Sequence, residues 1–205
     1  MVRKPIEGVV YPSREAVGRY AKVLGEDTLG GALHAAAVAH VNRIAVISPD
    51  GKLTYRELDA LSDKAAAALL RLGLKPLDRV LLQLGNVLEF FYAMYGCFKA
   101  GLIPICALTS HREAEIGFLA PFTDAKAHIV QGDLPKADLV SLAVAVQKKS
   151  PVQHIVVARG AGRAGILSFK DMIDHEDAAA GRKTVEALDL DPWNVAIFQL
   201  SGGTT

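Results

Sequence analysis

A mainly parallel α/β fold, with helices on both faces of its sheet, is predicted by three features of the sequence. Short apolar runs of strand length recur at residues 79–84, 103–108, 127–131 and 154–158. Between them lie longer segments whose apolar residues repeat at helical spacing, and glycine or a capping side chain marks most junctions. Runs that are apolar throughout, rather than alternating, fit strands buried on both sides by crossover helices. In such a sheet, ligands bind beyond the carboxyl ends of the strands.

In chain order, residues 1–27 are mixed, broken by Pro5, Gly8 and Pro12, with a helical stretch at 14–24; they read as an arm lying on the main body. Thr28 is a suitable N-cap for a helix through residue 40, with Leu29, Leu33, Ala36, Ala37 and His40 on one face. Residues 44–48 and 52–55 flank Pro49-Asp50-Gly51 and predict a hairpin. The long helix that follows has Leu58, Leu61, Ala65, Ala68, Leu69 and Leu72 on its core face, which turns Asp59, Asp63, Lys64 and Arg71 outward; Gly73 stops it.

The run 79–84 ends at Gly85-Asn86, and Asn86 with Glu89 resembles a capping box opening a helix over 87–100 that Gly101 closes. After the strand 103–108, Thr109-Ser110 caps a helix limited by Pro121. A strand at 127–131, a helix at 139–149 and a strand at 154–158 follow. A glycine-rich loop at 160–165 leads to a short helix at 169–173 and a solvated stretch at 174–183; Asp171 in the helix reads with Asp174, Glu176 and Asp177 as an acidic surface run.

Of the 205 residues, 51% are hydrophobic and 22% charged, a soluble globular balance with enough apolar material for a sizeable core. A net charge of +1 gives no electrostatic case for nucleic acid or an anionic membrane as a partner. Cys97 and Cys106 sit in apolar surroundings without metal or redox spacing, as buried thiols of a cytoplasmic protein do. The basic residues near Met1 are not followed by an apolar segment, so a secretory signal is not expected, and no apolar run in the sequence is long enough to span a bilayer. His34, His40, His128 and His154 are too scattered for a metal site, and Tyr55 and Trp193 read as packing residues.

The stretch with the most chemical content is the last one. Four β-prone or apolar positions, Ala196, Ile197, Phe198 and Leu200, with Gln199 between the last two, run into Ser201, Gly202, Gly203, Thr204 and Thr205. Glycines let the main chain approach an anion and point successive N–H groups at it, and the hydroxyls add uncharged donors. This is the composition of a phosphate cradle following a strand, although the Walker A spacing is missing; its bland alternative is a flexible polar loop.

Leu200-Ser201-Gly202-Gly203-Thr204-Thr205 resembles the opening of the phosphate-binding signature of the adenylate-forming enzymes: acyl-CoA synthetases, luciferases and the adenylation domains of peptide synthetases. Three further blocks resemble the family in order: residues 53–58, 98–105 and 191–196. Residues 107–116 and 198–200 and the arm are most similar to the branch that activates 2,3-dihydroxybenzoate or salicylate for siderophore assembly. The resemblance implies that 28–205 is an incomplete N-terminal α/β domain ending inside the phosphate loop, and that a fragment of this length is inactive by itself.

It further implies that the full enzyme activates a small carboxylic acid with ATP and Mg²⁺, forming an acyl adenylate and pyrophosphate. CoA or a carrier-protein phosphopantetheine would then accept the acyl group. By the same resemblance Ser201, Gly202, Gly203, Thr204 and Thr205 wrap the β- and γ-phosphates. The family's catalytic, ribose-binding and acidic metal-partner positions have no counterpart among these residues, so no catalytic or metal-binding residue is assigned. His111 and Arg112, placed after a strand, are the upstream candidates for meeting a carboxylate or phosphate; a solvated helix start is their structural alternative. An acyl- or aryl-CoA ligase would share every motif present, and a non-catalytic α/β binding domain with an incidental glycine loop is the rival of another class.

Overall fold

The computed structural model describes residues 5–24 and 27–200. Helix α1 (Arg14–Leu24) belongs to the arm, whose Tyr11 hydroxyl donates to Asn194 Oδ1 at 2.9 Å. Helix α2 (Leu29–Ala39) starts at Thr28, whose Oγ1 accepts from the Gly31 amide at 3.0 Å. Strands β1 (Ile44–Ser48) and β2 (Gly51–Thr54) form the expected antiparallel hairpin. Helix α3 (Tyr55–Arg71) opens on a reciprocal capping box: Thr54 Oγ1 accepts from the Glu57 amide, and Glu57 Oε2 accepts from the Thr54 amide.

The sheet consists of β3 (Arg79–Gln83), β4 (Ile103–Cys106), β5 (Ala125–Gln131), β6 (His154–Ala158), β7 (Ile166–Ser168) and β8 (Phe198–Gln199). Their order is β7-β6-β5-β3-β4-β8 and every neighbouring pair is parallel. Side chains alternate between two buried faces. Val80, Leu82, Ala127, Ile129, Val156 and Ala158 meet α3, α4 (Leu88–Lys99) and α7 (Phe169–Asp174). Leu81, Ile105 and Ala125, with Ile155 and Val157 farther along, meet α5 (Glu113–Phe122) and α6 (Leu139–Gln147). This is the predicted α/β architecture with helices on both faces, and burial on both sides is why the strands read as unbroken apolar runs.

Several local expectations are corrected. Asp59 and Asp63 do not face solvent: Lys99 Nζ, with its side chain 1% exposed, bonds to Asp59 Oδ1 and Asp63 Oδ1, both at 2.6 Å, and to the Asp59 carbonyl. Helix α3 is covered on several flanks, so a single apolar stripe does not describe it. The acidic run near residue 174 is not a uniformly solvated surface. Glu176 is buried and takes a bidentate pair of bonds from Arg71, both at 2.7 Å. Asp177 caps α8 (Ala178–Glu186), which docks on α3 where Gly181 meets the Asp63 carbonyl.

Asn86 does not cap α4: Val87 holds the N-cap position without a side-chain bond, and Glu89 is engaged by Arg159 instead. Thr109-Ser110 gives way to Arg112 as the N-cap of α5, its amide donating to Glu115 Oε2 at 2.8 Å. That helix continues through Pro121 to Phe122 before it ends. Strand β7 was missed in the three residues between the glycine-rich loop and the short helix, and β5 starts two residues earlier than its apolar run.

Candidate functional site

Because all six strands are parallel, the loops that follow them gather at one end of the sheet. Strand β4 carries the chain to Ala107, and β8 lies beside it with Cys106 in register with Gln199. The polypeptide therefore leaves β8 at the same end as the loop bearing residues 107–112. The sequence-predicted Ser201, Gly202, Gly203, Thr204 and Thr205 lie outside the described residues.

Buried carboxamides organise this end. Gln83, the last residue of β3 and fully buried, donates through Nε2 to the carbonyls of Leu108 at 3.1 Å and His111 at 3.0 Å. Gln131, the last residue of β5, accepts at Oε1 from the Gly85 amide at 2.9 Å and donates through Nε2 to Asp133. A β-carbon at Gly85 would stand 3.1 Å from that oxygen, so the close approach suits glycine. Each buried amide thus fixes the loop after a neighbouring strand, β4 in one case and β3 in the other.

Of the two upstream candidates, Arg112 turns back on its own loop: Nη1 donates to the carbonyls of Thr109 at 2.8 Å and His111 at 3.2 Å. Its side chain remains exposed. Amide bonds from Arg112 and from Glu115 itself hold the Glu115 carboxyl below its ordinary range. His111 is half-buried, and its Nδ1 is buried without a hydrogen-bond partner, as is Gln83 Oε1. The structure brings His111 and Arg112 to the carboxyl end beside the exit of β8, as their place after a strand implied.

Farther along this end, Arg159 follows β6 with φ +58° and binds three carboxylates: Asp50 at 2.8 Å, Glu89 at 3.1 Å and Asp133 at 3.3 Å. It ties the hairpin turn, the start of α4 and the β5 loop to one guanidinium. Gln83, Gln131 and Arg159 were not singled out from the sequence. The available signal was a polar residue ending each buried apolar run, at Val80-Leu81-Leu82-Gln83 and His128-Ile129-Val130-Gln131.

Among the described residues, no group of three or more His, Cys, Asp or Glu side chains could hold a metal ion. A mostly apolar cavity of about 770 Å³ lies at the opposite, amino end, between residues 75–77, 101–102 and 189–196. No helix among the described residues is long and apolar enough to cross a membrane.

Comparisons with known proteins bear on the family and the fold. A family model described as AMP-binding enzyme matches residues 33–205. The 2,3-dihydroxybenzoate-AMP ligase of Bacillus subtilis is 36% identical over 180 residues, covering 87% of this chain and 32% of that protein. A salicylyl-CoA synthase / salicylate adenylyltransferase from Streptomyces sp is 32% identical over 203 residues, covering 97% of this chain and 37% of its own. The apo structure of Mycobacterium smegmatis MbtA superimposes with a TM-score of 0.80 at 33% identity, covering 94% of this chain and 35% of that one. The chain spans about a third of the length of the curated relatives it matches.

Proposed function

The chain belongs to the AMP-binding enzyme family, and from that membership we propose that its parent protein activates an aryl carboxylic acid with ATP. The acid's carboxylate oxygen attacks the α-phosphorus, a P–O bond to the β-phosphate breaks, and pyrophosphate leaves an acyl adenylate. The catalytic need is chiefly positioning and preorganised donors for charge on the phosphate oxygens.

The observation that carries the reading is the parallel placement of β8 beside β4, with its exit at the end where Gln83 and Gln131 fix the loops. We assign Ser201, Gly202, Gly203, Thr204 and Thr205 to the β- and γ-phosphates on the strength of their residue types and their place after β8. Mg²⁺ would accompany the nucleotide phosphates, since a hard cation bound mainly through phosphate needs few protein ligands.

The names of two relatives support 2,3-dihydroxybenzoate or salicylate as the acid. The salicylyl-CoA synthase among them also favours CoA as acceptor, alongside a carrier-protein phosphopantetheine. Residues 1–27 act as an arm on the α/β unit of 28–205 in this reading, and the cytoplasm is the compartment that supplies the ATP.

The test is acid-dependent ATP–pyrophosphate exchange by the complete gene product across 2,3-dihydroxybenzoate, salicylate, benzoate and medium-chain fatty acids. Exchange confined to the hydroxybenzoates establishes the aryl-acid reading. Exchange with fatty acids alone moves the substrate class, and none with any of these acids removes the proposed activity. Transfer of the activated acyl group to CoA or to a phosphopantetheinylated carrier then identifies the acceptor.

A further inference from the structure

Gln83 and His111 contain two unpaired polar atoms within a contact that is otherwise well made. The Gln83 Nε2 hydrogens reach two carbonyls, those of Leu108 and His111, which fixes the orientation of the amide because a carbonyl can only accept. The remaining oxygen, Oε1, is buried with no partner, and Nδ1 of His111 is likewise buried with none. A buried polar atom without a partner has given up its hydration with nothing in return. These atoms belong to residues already joined by the bond from Nε2 to the His111 carbonyl, at 3.0 Å.

Oε1 has lone pairs and no hydrogen, so an imidazole nitrogen that pairs with it must carry the hydrogen. We propose that Gln83 fixes His111 in its Nδ1–H tautomer, the Nδ1–H donating to Oε1 after a turn of the ring. Gln83 is then a positioning residue, setting both the loop and the ring that it presents. Nε2 becomes the nitrogen that meets an oxyanion at the carboxyl end of the sheet, donating to it when protonated. This last step rests on the proposed acid-activating function; the tautomer assignment does not. The oxyanion belongs either to the nucleotide phosphates or to the acid's carboxylate, which offer the same acceptor chemistry.

The experiment is ¹⁵N-detected NMR of the complete gene product labelled only in its histidine rings, with a His111→Phe variant identifying the His111 resonances. The wild-type protein should show His111 as Nδ1–H. Gln83→Leu or Gln83→Met should move the ring to Nε2–H or to an averaged signal, while Gln83→Glu, which retains an acceptor, should hold it. Wild-type His111 found as Nε2–H overturns the assignment without any variant having to fold. So does an unchanged tautomer in the folded Leu or Met variant.

ATP with Mg²⁺, or salicylate, should then shift the Nε2 resonance. A shift with ATP alone assigns the oxyanion to the nucleotide, and a shift with salicylate alone assigns it to the acid. No shift with either ligand, in a protein active in acid-dependent exchange, overturns the oxyanion contact and leaves the acid-activating reading intact. Absence of exchange removes that reading and the oxyanion step together, while the tautomer result still decides the role of Gln83.

Discussion

The Lys99 ammonium stands 2.6 Å from the Asp63 carboxylate, with 1% of the lysine side chain and 5% of the aspartate exposed. Asp59 shares the same ammonium and also pairs with His34 Nδ1 at 2.8 Å. Burial raises the proton affinity of both carboxyls. For Asp59, the bonds from Lys99 and His34 outweigh it and hold the carboxyl below its usual range. For Asp63, burial wins and the carboxyl is pushed up despite the bond from Lys99, with the Asp59 charge adding to the rise.

Removing the shared cation should therefore cost far more than a surface ion pair. Lys99→Met leaves buried carboxylates without compensation and is expected to destabilise the fold by about 3–5 kcal/mol. Urea denaturation at neutral pH checks this, and an unchanged midpoint would refute the buried-pair account.

Glycine substitutions should separate close packing from backbone entropy. A β-carbon at Gly96 would lie 2.7 Å from the Ala65 β-carbon and 3.2 Å from the Ala66 amide nitrogen. Gly96→Ala should cost about 1–3 kcal/mol by forcing α3 and α4 apart. At Gly117 in α5 an added β-carbon meets nothing within 4 Å, so Gly117→Ala should stabilise by about 0.5–1 kcal/mol. Parallel thermal melts should show shifts of opposite sign.

His128 supplies an acid-sensitive contribution to stability. It is wholly buried in β5 with neither ring nitrogen paired, and burial lowers its pKa from 6.5 to about 3. Between those values the unfolded chain binds the proton and the folded chain does not, so stability falls as pH falls below the unfolded value. The loss from pH 7 to pH 5 should be about 2 kcal/mol from this residue. His128→Leu should flatten that limb in denaturation measured at both pH values; an unaltered slope would contradict the assignment.

Arg159 combines a left-handed backbone with three ion pairs. Arg159→Asn keeps a residue that tolerates the observed φ of +58°, whereas Arg159→Leu does not. Both remove the guanidinium from Asp50, Glu89 and Asp133. Stability should therefore fall further in the leucine variant, by about 1 kcal/mol beyond the asparagine one. Equal midpoints would mean that the charges alone set the cost.

The sheet was legible because Val80, Leu81 and Leu82, and again Ile155, Val156 and Val157, are buried on both sides and leave uninterrupted apolar runs. A helix boundary was legible where its cap was recognised, as at Thr28; the Thr54–Glu57 capping box is equally local, but residues 54 and 55 were read as the end of the returning strand. Helix α3 was only half legible: Ala65, Ala66, Ala67 and Ala68 allow neighbours on several flanks, so helical periodicity misassigned Asp59 and Asp63. Their partner is Lys99, on another helix, and local sequence cannot reveal that contact. The same limit hid Arg71–Glu176 and the docking of α8. At the carboxyl end, the residue types at His111 and Arg112 were visible, but the amides of Gln83 and Gln131 acquire meaning only when adjacent strands bring their loops together.

The two margins of the sheet differ in a way that gives the molecule a direction. Beyond β7, Arg163 and Ile166 exchange both backbone bonds, from N to O at 2.9 and 2.8 Å. That return of the chain occupies groups another strand would need. Among the described residues β8 pairs only with β4. A seventh strand could therefore continue the ladder beside β8 but would meet a blocked rim at β7. Room for a further strand is consequently one-sided, at the margin after which the glycine-rich sequence begins.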